Sequence, residues 1–174
     1  MEQLGFLVDI AKCVGCKACE IACKNRNKLV APGPRIRRVR ESEEGTFPNT
    51  KVTNLSLSCM HCADPECVRN CPAGALSKSE EDGVVRVDLN KCIGCKTCSQ
   101  VCPFDVPQYR EEGTLAKCDL CTDRRQMSLK PACVQTCFNE VLQVGTMDEL
   151  QKMVAGRAVR ELDAKVEVSV IIVE

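Results

Sequence analysis

Sixteen of the 174 residues are cysteine, and they fall into four groups of four: Cys13, Cys16, Cys19, Cys23; Cys59, Cys62, Cys67, Cys71; Cys92, Cys95, Cys98, Cys102; and Cys118, Cys121, Cys133, Cys137. A chain this rich in cysteine sits near the composition at which disulfides or metal groups take over from a hydrophobic core. The apolar share of 44% counts those cysteines, and the aromatic complement is four Phe, one Tyr and no Trp. Little is left for a conventional core. What the cysteines bind should therefore form much of the interior, and the chain without it should be poorly folded.

Disulfides belong to secreted chains, and the segment from Met1 to Ile10 has no basic stretch followed by a long apolar one. Zinc uses C-x2-C pairs set about 12 to 20 residues apart, a pattern that suits only Cys118, Cys121, Cys133 and Cys137. In the other groups, three closely spaced cysteines and a fourth a few residues on wrap an object larger than one ion. The first and third groups share C-x2-C-x2-C-x3-C, and Pro103 follows the third. This is the bacterial ferredoxin run that binds cubane iron-sulfur clusters. Three thiolates from a tight loop reach three irons of one cube, while the fourth points away, and in two-cluster ferredoxins it ligates the other cluster. Pro72 and Pro103, directly after their fourth cysteines, redirect the chain there. Four groups imply four 4Fe-4S clusters and electron transfer, but spacing alone leaves open which group exchanges its last cysteine with which.

Lys plus Arg equals Asp plus Glu at 24 each. The bare chain thus gives no electrostatic case for nucleic acid or an anionic membrane. Sixteen thiolates around four oxidised cubes would leave about two negative charges per cluster, so the assembled protein should be acidic. The most apolar segment, Val166 to Val173, is too short to span a membrane. The expectation is a soluble chain made in the cytoplasm, without direct membrane insertion, that reaches a membrane only through a partner.

Short strands are expected at Gly5 to Ile10, Val52 to Leu57, Gly83 to Asp88 and Val141 to Gly145, each feeding or following a cysteine group. Ala75 to Lys78 and Val84 to Val87 flank an acidic, glycine-ended connection that suits a hairpin. Thr146 with Glu149 forms a capping-box pattern ahead of a helix from Met147 to Met153, and partly helical turns are expected at Cys16 to Cys23 and Cys95 to Cys102. The segment ending in Val166 to Val173 reads as an edge strand of the domain in preference to a partner contact. Between Pro32 and Asn49, Arg35, Arg37, Arg38 and Arg40 precede Glu41, Glu43 and Glu44, which reads as a solvated charged strand. The Arg37-Arg38 pair lacks the position and apolar stretch of an export signal. His61, the only histidine, reads as a hydrogen-bonding or redox-tuning neighbour of a cluster and not as a ligand.

Gly5-Phe6-Leu7-Val8-Asp9, Cys13-Val14-Gly15-Cys16-Lys17-Ala18-Cys19, Cys59-Met60-His61-Cys62-Ala63-Asp64-Pro65-Glu66-Cys67, Pro103 to Tyr109 and Lys117-Cys118-Asp119-Leu120-Cys121 together resemble the iron-sulfur subunit of the dimethyl sulfoxide reductase group of molybdopterin oxidoreductases. The resemblance runs over about residues 4 to 150. It implies an α+β fold of two fused ferredoxin-like modules with exchanged ends: residues 1–50 and 103–150 as the outer module, residues 51–102 as the inner one, and 151–174 as a tail. It implies four clusters, on Cys13, Cys16, Cys19 and Cys137; on Cys118, Cys121, Cys133 and Cys23; on Cys59, Cys62, Cys67 and Cys102; and on Cys92, Cys95, Cys98 and Cys71. It implies a non-catalytic wire between a large molybdenum or tungsten molybdopterin subunit and a quinone-reactive integral membrane subunit or a soluble donor. The complex would be peripheral to the membrane, and exported only if a partner carried a twin-arginine signal. Phe138 stands where many relatives have proline, and no cysteine is replaced, so no three-iron cluster is expected. The rival reading is a free-standing polyferredoxin.

Overall fold

A computed structural model describes residues 2–160, 162 and 166–174. In chain order its elements are β1 (Leu4–Asp9), α1 (Ala18–Arg26), β2 (Arg38–Thr46), β3 (Asn49–Leu57), α2 (Glu66–Arg69), β4 (Leu76–Lys78), β5 (Val85–Val87) and α3 (Thr97–Gln100). There follow β6 (Gln108–Tyr109), β7 (Leu115–Ala116), α4 (Thr122–Gln126), α5 (Ala132–Gln135), β8 (Leu142–Thr146), α6 (Met147–Met153), β9 (Val159–Arg160) and β10 (Val170–Val173). This is a small α+β fold of short strands and short helices.

One four-stranded sheet, ordered β8-β1-β10-β9, anchors it. β1 runs antiparallel to β8 and parallel to β10. Alternation places Phe6 and Val8 on one face, with Leu142 and Ile172, and Leu7 on the other, with Leu150, Val154, Ile171 and Val173. Both faces are covered, the first by the cysteine-bearing core and the second by α6. Thr146 begins α6 with a reciprocal capping box: its Oγ1 accepts from Glu149 N at 3.2 Å, and Glu149 Oε2 accepts from Thr146 N at 2.9 Å. β10 is interior and not an edge strand, flanked by β1 and β9. Val-Ile-Ile-Val has no polar face to offer water, and such an unbroken apolar run suits a strand covered on both sides.

Three antiparallel hairpins complete the strands: β2-β3, β4-β5 and β6-β7. The β2-β3 hairpin is the longest, paired from Arg38↔Leu57 to Thr46↔Asn49. Its outer half is polar on both faces and stands in solvent, with Phe47 at the tip 91% exposed. The solvated charged strand expected here holds for Arg35 and Arg40 but fails at Arg37, whose side chain is buried at the base of the hairpin. Among the described residues no helix is long and apolar enough to cross a membrane.

Candidate metal centres

The first and third cysteine groups are built by the same turn. Gly15 and Gly94 take φ of +70° and +68°, and Lys17 and Lys96 take +59° and +63°. Two left-handed residues within C-x-G-C-K curl the loop so that successive cysteines face inward. Neither glycine has room for a side chain: a Cβ would meet Asn54 Oδ1 at 2.6 Å at Gly15, and Gly113 O at 2.7 Å at Gly94. α1 and α3 start directly after these turns and carry the third cysteine, Cys19 or Cys98, into the interior.

Three cavities have cysteine quartets in their walls. One holds Cys13, Cys16, Cys19 and Cys137. A second holds Cys92, Cys95, Cys98 and Cys71. A third holds Cys59, Cys62, Cys67 and Cys102, with Cys98 also at its wall. Of the remaining cysteines, Cys23, Cys121 and Cys133 are buried and Cys118 is half-buried; Cys23 and Cys118 pack with Ile36 and Ala116, and Cys121 and Cys133 stand within electrostatic reach of Cys23.

The donor set suits iron-sulfur chemistry. Thiols and apolar groups make up most of the lining of the three cavities, with Lys12, Lys17, Lys96 and Lys117 as the charged members and no carboxylate. Soft sulfur ligands without a carboxylate, and with only the neutral oxygens of Ser56, Asn139 and Tyr109 nearby, favour iron-sulfur clusters or zinc over magnesium or calcium. Among the described residues no three His, Cys, Asp or Glu side chains converge as one bare ion requires.

Burial raises several of the thiols. It pushes Cys23 up to about 12, against partial relief from Arg37. Cys62 rises to about 11 and Cys67 to about 12, again chiefly by burial, and Cys118 rises most of all. Such sites stay protonated until a metal group displaces the protons. Several donors already point at sulfur: Ala75 N to Cys71 Sγ at 3.3 Å, Leu120 N to Cys118 Sγ at 3.4 Å and His61 N to Cys59 Sγ at 3.5 Å. Hydrogen bonds of this kind tune cluster potentials.

Residues 50–147, more than half the chain, match the family described as the 4Fe-4S dicluster domain. One component of the anaerobic dimethyl sulfoxide reductase of Escherichia coli is 43% identical over 159 residues, covering 86% of this protein and 77% of that one. The protein belongs to this family of iron-sulfur subunits. A component of the sulfite dehydrogenase of Allochromatium vinosum is 39% identical over 158 residues, 79% of this protein and 66% of its own length. The formate dehydrogenase-O iron-sulfur subunit of Escherichia coli is 34% identical over 184 residues, 94% and 60% respectively.

In this iron-sulfur subunit three charged or polar side chains near the cysteines have roles that the sequence alone does not reveal. Arg37 is buried among Cys19, Cys23, Cys118 and Cys133. Lys117 is 7% exposed, lines the cavity of Cys59, Cys62 and Cys67, and donates to Val85 O at 2.6 Å and Cys118 O at 2.9 Å. Tyr109, in β6, stands with its hydroxyl 3.2 Å from Cys98 Sγ. His61 is wholly buried and neutral, its pKa driven far down by burial and by Lys117, Lys78 and Arg125. Its Nδ1 accepts from Val85 N at 3.1 Å, and its Nε2 has no partner among the described residues. Only the Lys-Cys-Asp-Leu-Cys motif hinted at Lys117, and nothing in sequence spacing marked Arg37.

Proposed function

We propose that this subunit passes single electrons through four 4Fe-4S clusters between a molybdopterin catalytic subunit and a quinone-linked membrane subunit or a soluble carrier. It has no substrate site of its own; the chemistry of the partner sets the substrate. The observation that carries the four-cluster reading is the composition of the cavity walls: each brings together three successive cysteines of one group and the last cysteine of another. On that reading Cys118, Cys121, Cys133 and Cys23 hold the fourth cube. The inner module is then the pair of quartets that exchange Cys71 and Cys102, and the outer module the pair that exchange Cys23 and Cys137, as in two ferredoxin-like units with exchanged ends.

The relatives are named as parts of larger oxidoreductases, which favours an obligate wire over a diffusing polyferredoxin. Exposed apolar residues at the cavity walls support the same reading. Val14 and Phe138 are 63% and 72% exposed beside the Cys13 quartet, and Ile93 is 71% exposed beside the Cys92 quartet. Such residues at both mouths suit docking of partner subunits, where cluster edges must come close to the neighbouring redox centre.

Anaerobic purification with metal analysis tests the count, with about sixteen irons and matching sulfide expected. Cys137→Ser tests the pairing. It should alter the spectroscopic signature of the cluster on Cys13, Cys16 and Cys19; alteration of the cluster on Cys118 and Cys121 instead would overturn the exchange.

A further inference from the structure

Arg37 is the largest fully buried side chain among the described residues. Its neighbours Arg35 and Arg38 pair with Glu20 and Asp105, whereas Arg37 has no carboxylate at ion-pair range among the described residues. Its guanidinium donates only to neutral oxygens: Ser56 O at 3.2 Å, Ser56 Oγ at 3.1 Å and Ser58 Oγ at 2.9 Å. Its Cζ lies 4.5 Å from the centre of the Phe6 ring. A buried charge without a counter-charge is costly, and hydrogen bonds to neutral groups do not balance it. The missing negative charge has an obvious source in the thiols around it, Cys19, Cys23, Cys118 and Cys133. Ser56 Oγ, 3.1 Å from the guanidinium and 3.3 Å from Cys19 Sγ, links the two directly.

We propose that Arg37 is the fixed counter-charge shared by two clusters, those on Cys13, Cys16, Cys19 and Cys137 and on Cys118, Cys121, Cys133 and Cys23, and that it raises both reduction potentials. This rests on the four-cluster reading above. A cube with four thiolates carries about two negative charges when oxidised and gains one more on taking up an electron. A nearby positive charge stabilises that added electron, and burial shields the interaction from salt. The strongest electrostatic links of Arg37 to thiols all run to these two quartets, and it approaches the Cys59 quartet through Ser58, the residue before Cys59. Arg37 should therefore act most strongly on these two steps of the wire.

The test is anaerobic redox titration of the intact complex, followed by electron paramagnetic resonance, on R37Q, R37K and S58D. Wild-type iron content checks the cluster count separately, so failure of that reading shows before any variant is compared. In R37Q two of the four one-electron steps should move to lower potential by roughly 59 mV or more, equal to a tenfold change in electron affinity. R37K keeps the charge and should leave the steps near their wild-type positions. S58D keeps the arginine but sets a carboxylate against it, and the same two steps should fall; because Ser58 precedes Cys59, the step of the Cys59 quartet is left out of that comparison. If R37Q retains too little iron to titrate, S58D decides the question. Unmoved steps in S58D, an equal shift of all four, or a fall in R37K as large as in R37Q would overturn the proposal.

Discussion

Lys117 stands to the Cys59 quartet as Arg37 is proposed to stand to the two outer ones, a buried cation that holds its place by donating to backbone oxygens. It lowers the cost of ionising Cys62 and Cys67. Lys117→Met should therefore depress one titration step, that of the Cys59 quartet, by roughly tenfold in electron affinity, read by potentiometry. Tyr109→Phe deletes the hydroxyl beside Cys98 and should lower the step of the Cys92 quartet by a smaller amount, with iron content unchanged. The cysteine groups themselves were legible because their members lie within a few residues of one another in sequence, apart from the gap between Cys121 and Cys133. The cations were not. Arg37 sits in a run of four arginines that reads as solvated, and what sets it apart is contact with Phe6, Ser56 and Ser58, each about 20 to 30 residues away in sequence and invisible to any local pattern.

The capped helix and the β4-β5 hairpin were readable at the scale of the element, since Thr146, Glu149 and the Ser79 to Gly83 connection act within a few residues; the β6-β7 hairpin was not foreseen. β10 was only half readable: its apolar run marked a strand, but its place beside β1 depends on pairing across more than 160 residues. Thr146→Ala should cost about 1 kcal/mol by removing the cap from α6, measured by thermal melting of the assembled protein. The β4-β5 hairpin is tied to the body through Asp82, whose carboxylate accepts from Arg86 at 2.7 Å and Arg125 at 2.8 Å. Burial pushes that carboxyl up, but the Arg125 bond, with Ser79, Val84 and Arg86, outweighs it and leaves the pKa lowered. A lowered folded pKa means stability present above the unfolded carboxylate range and lost as pH falls through the folded value. The melting-temperature gap between wild type and Asp82→Asn should be steady above about pH 5 and close as pH drops below about 4.

Taken whole, the molecule has modest apolar clusters arranged around cysteine-lined cavities, so its fold and its cofactors should stand or fall together. Stripping the iron anaerobically should collapse the near-ultraviolet circular dichroism and open the polypeptide to protease, and reconstitution should restore both. Because burial holds Cys23, Cys62 and Cys67 as thiols, reconstitution must release protons and should proceed more completely as pH rises from about 6 to about 8. One further consequence lies in the stitching of β10. Ser169 N donates to Met60 O, Glu167 O accepts from Ala63 N, and Ser169 O accepts from Phe6 N, so the segment before β10 clasps both the opening strand and the Cys59 loop. During synthesis the ribosome delivers that clasp only after all four cysteine groups have been made. Until then the nascent polypeptide exposes its thiols, and any metal group loaded earlier would enter an open structure that this clasp closes only after residue 173 has emerged.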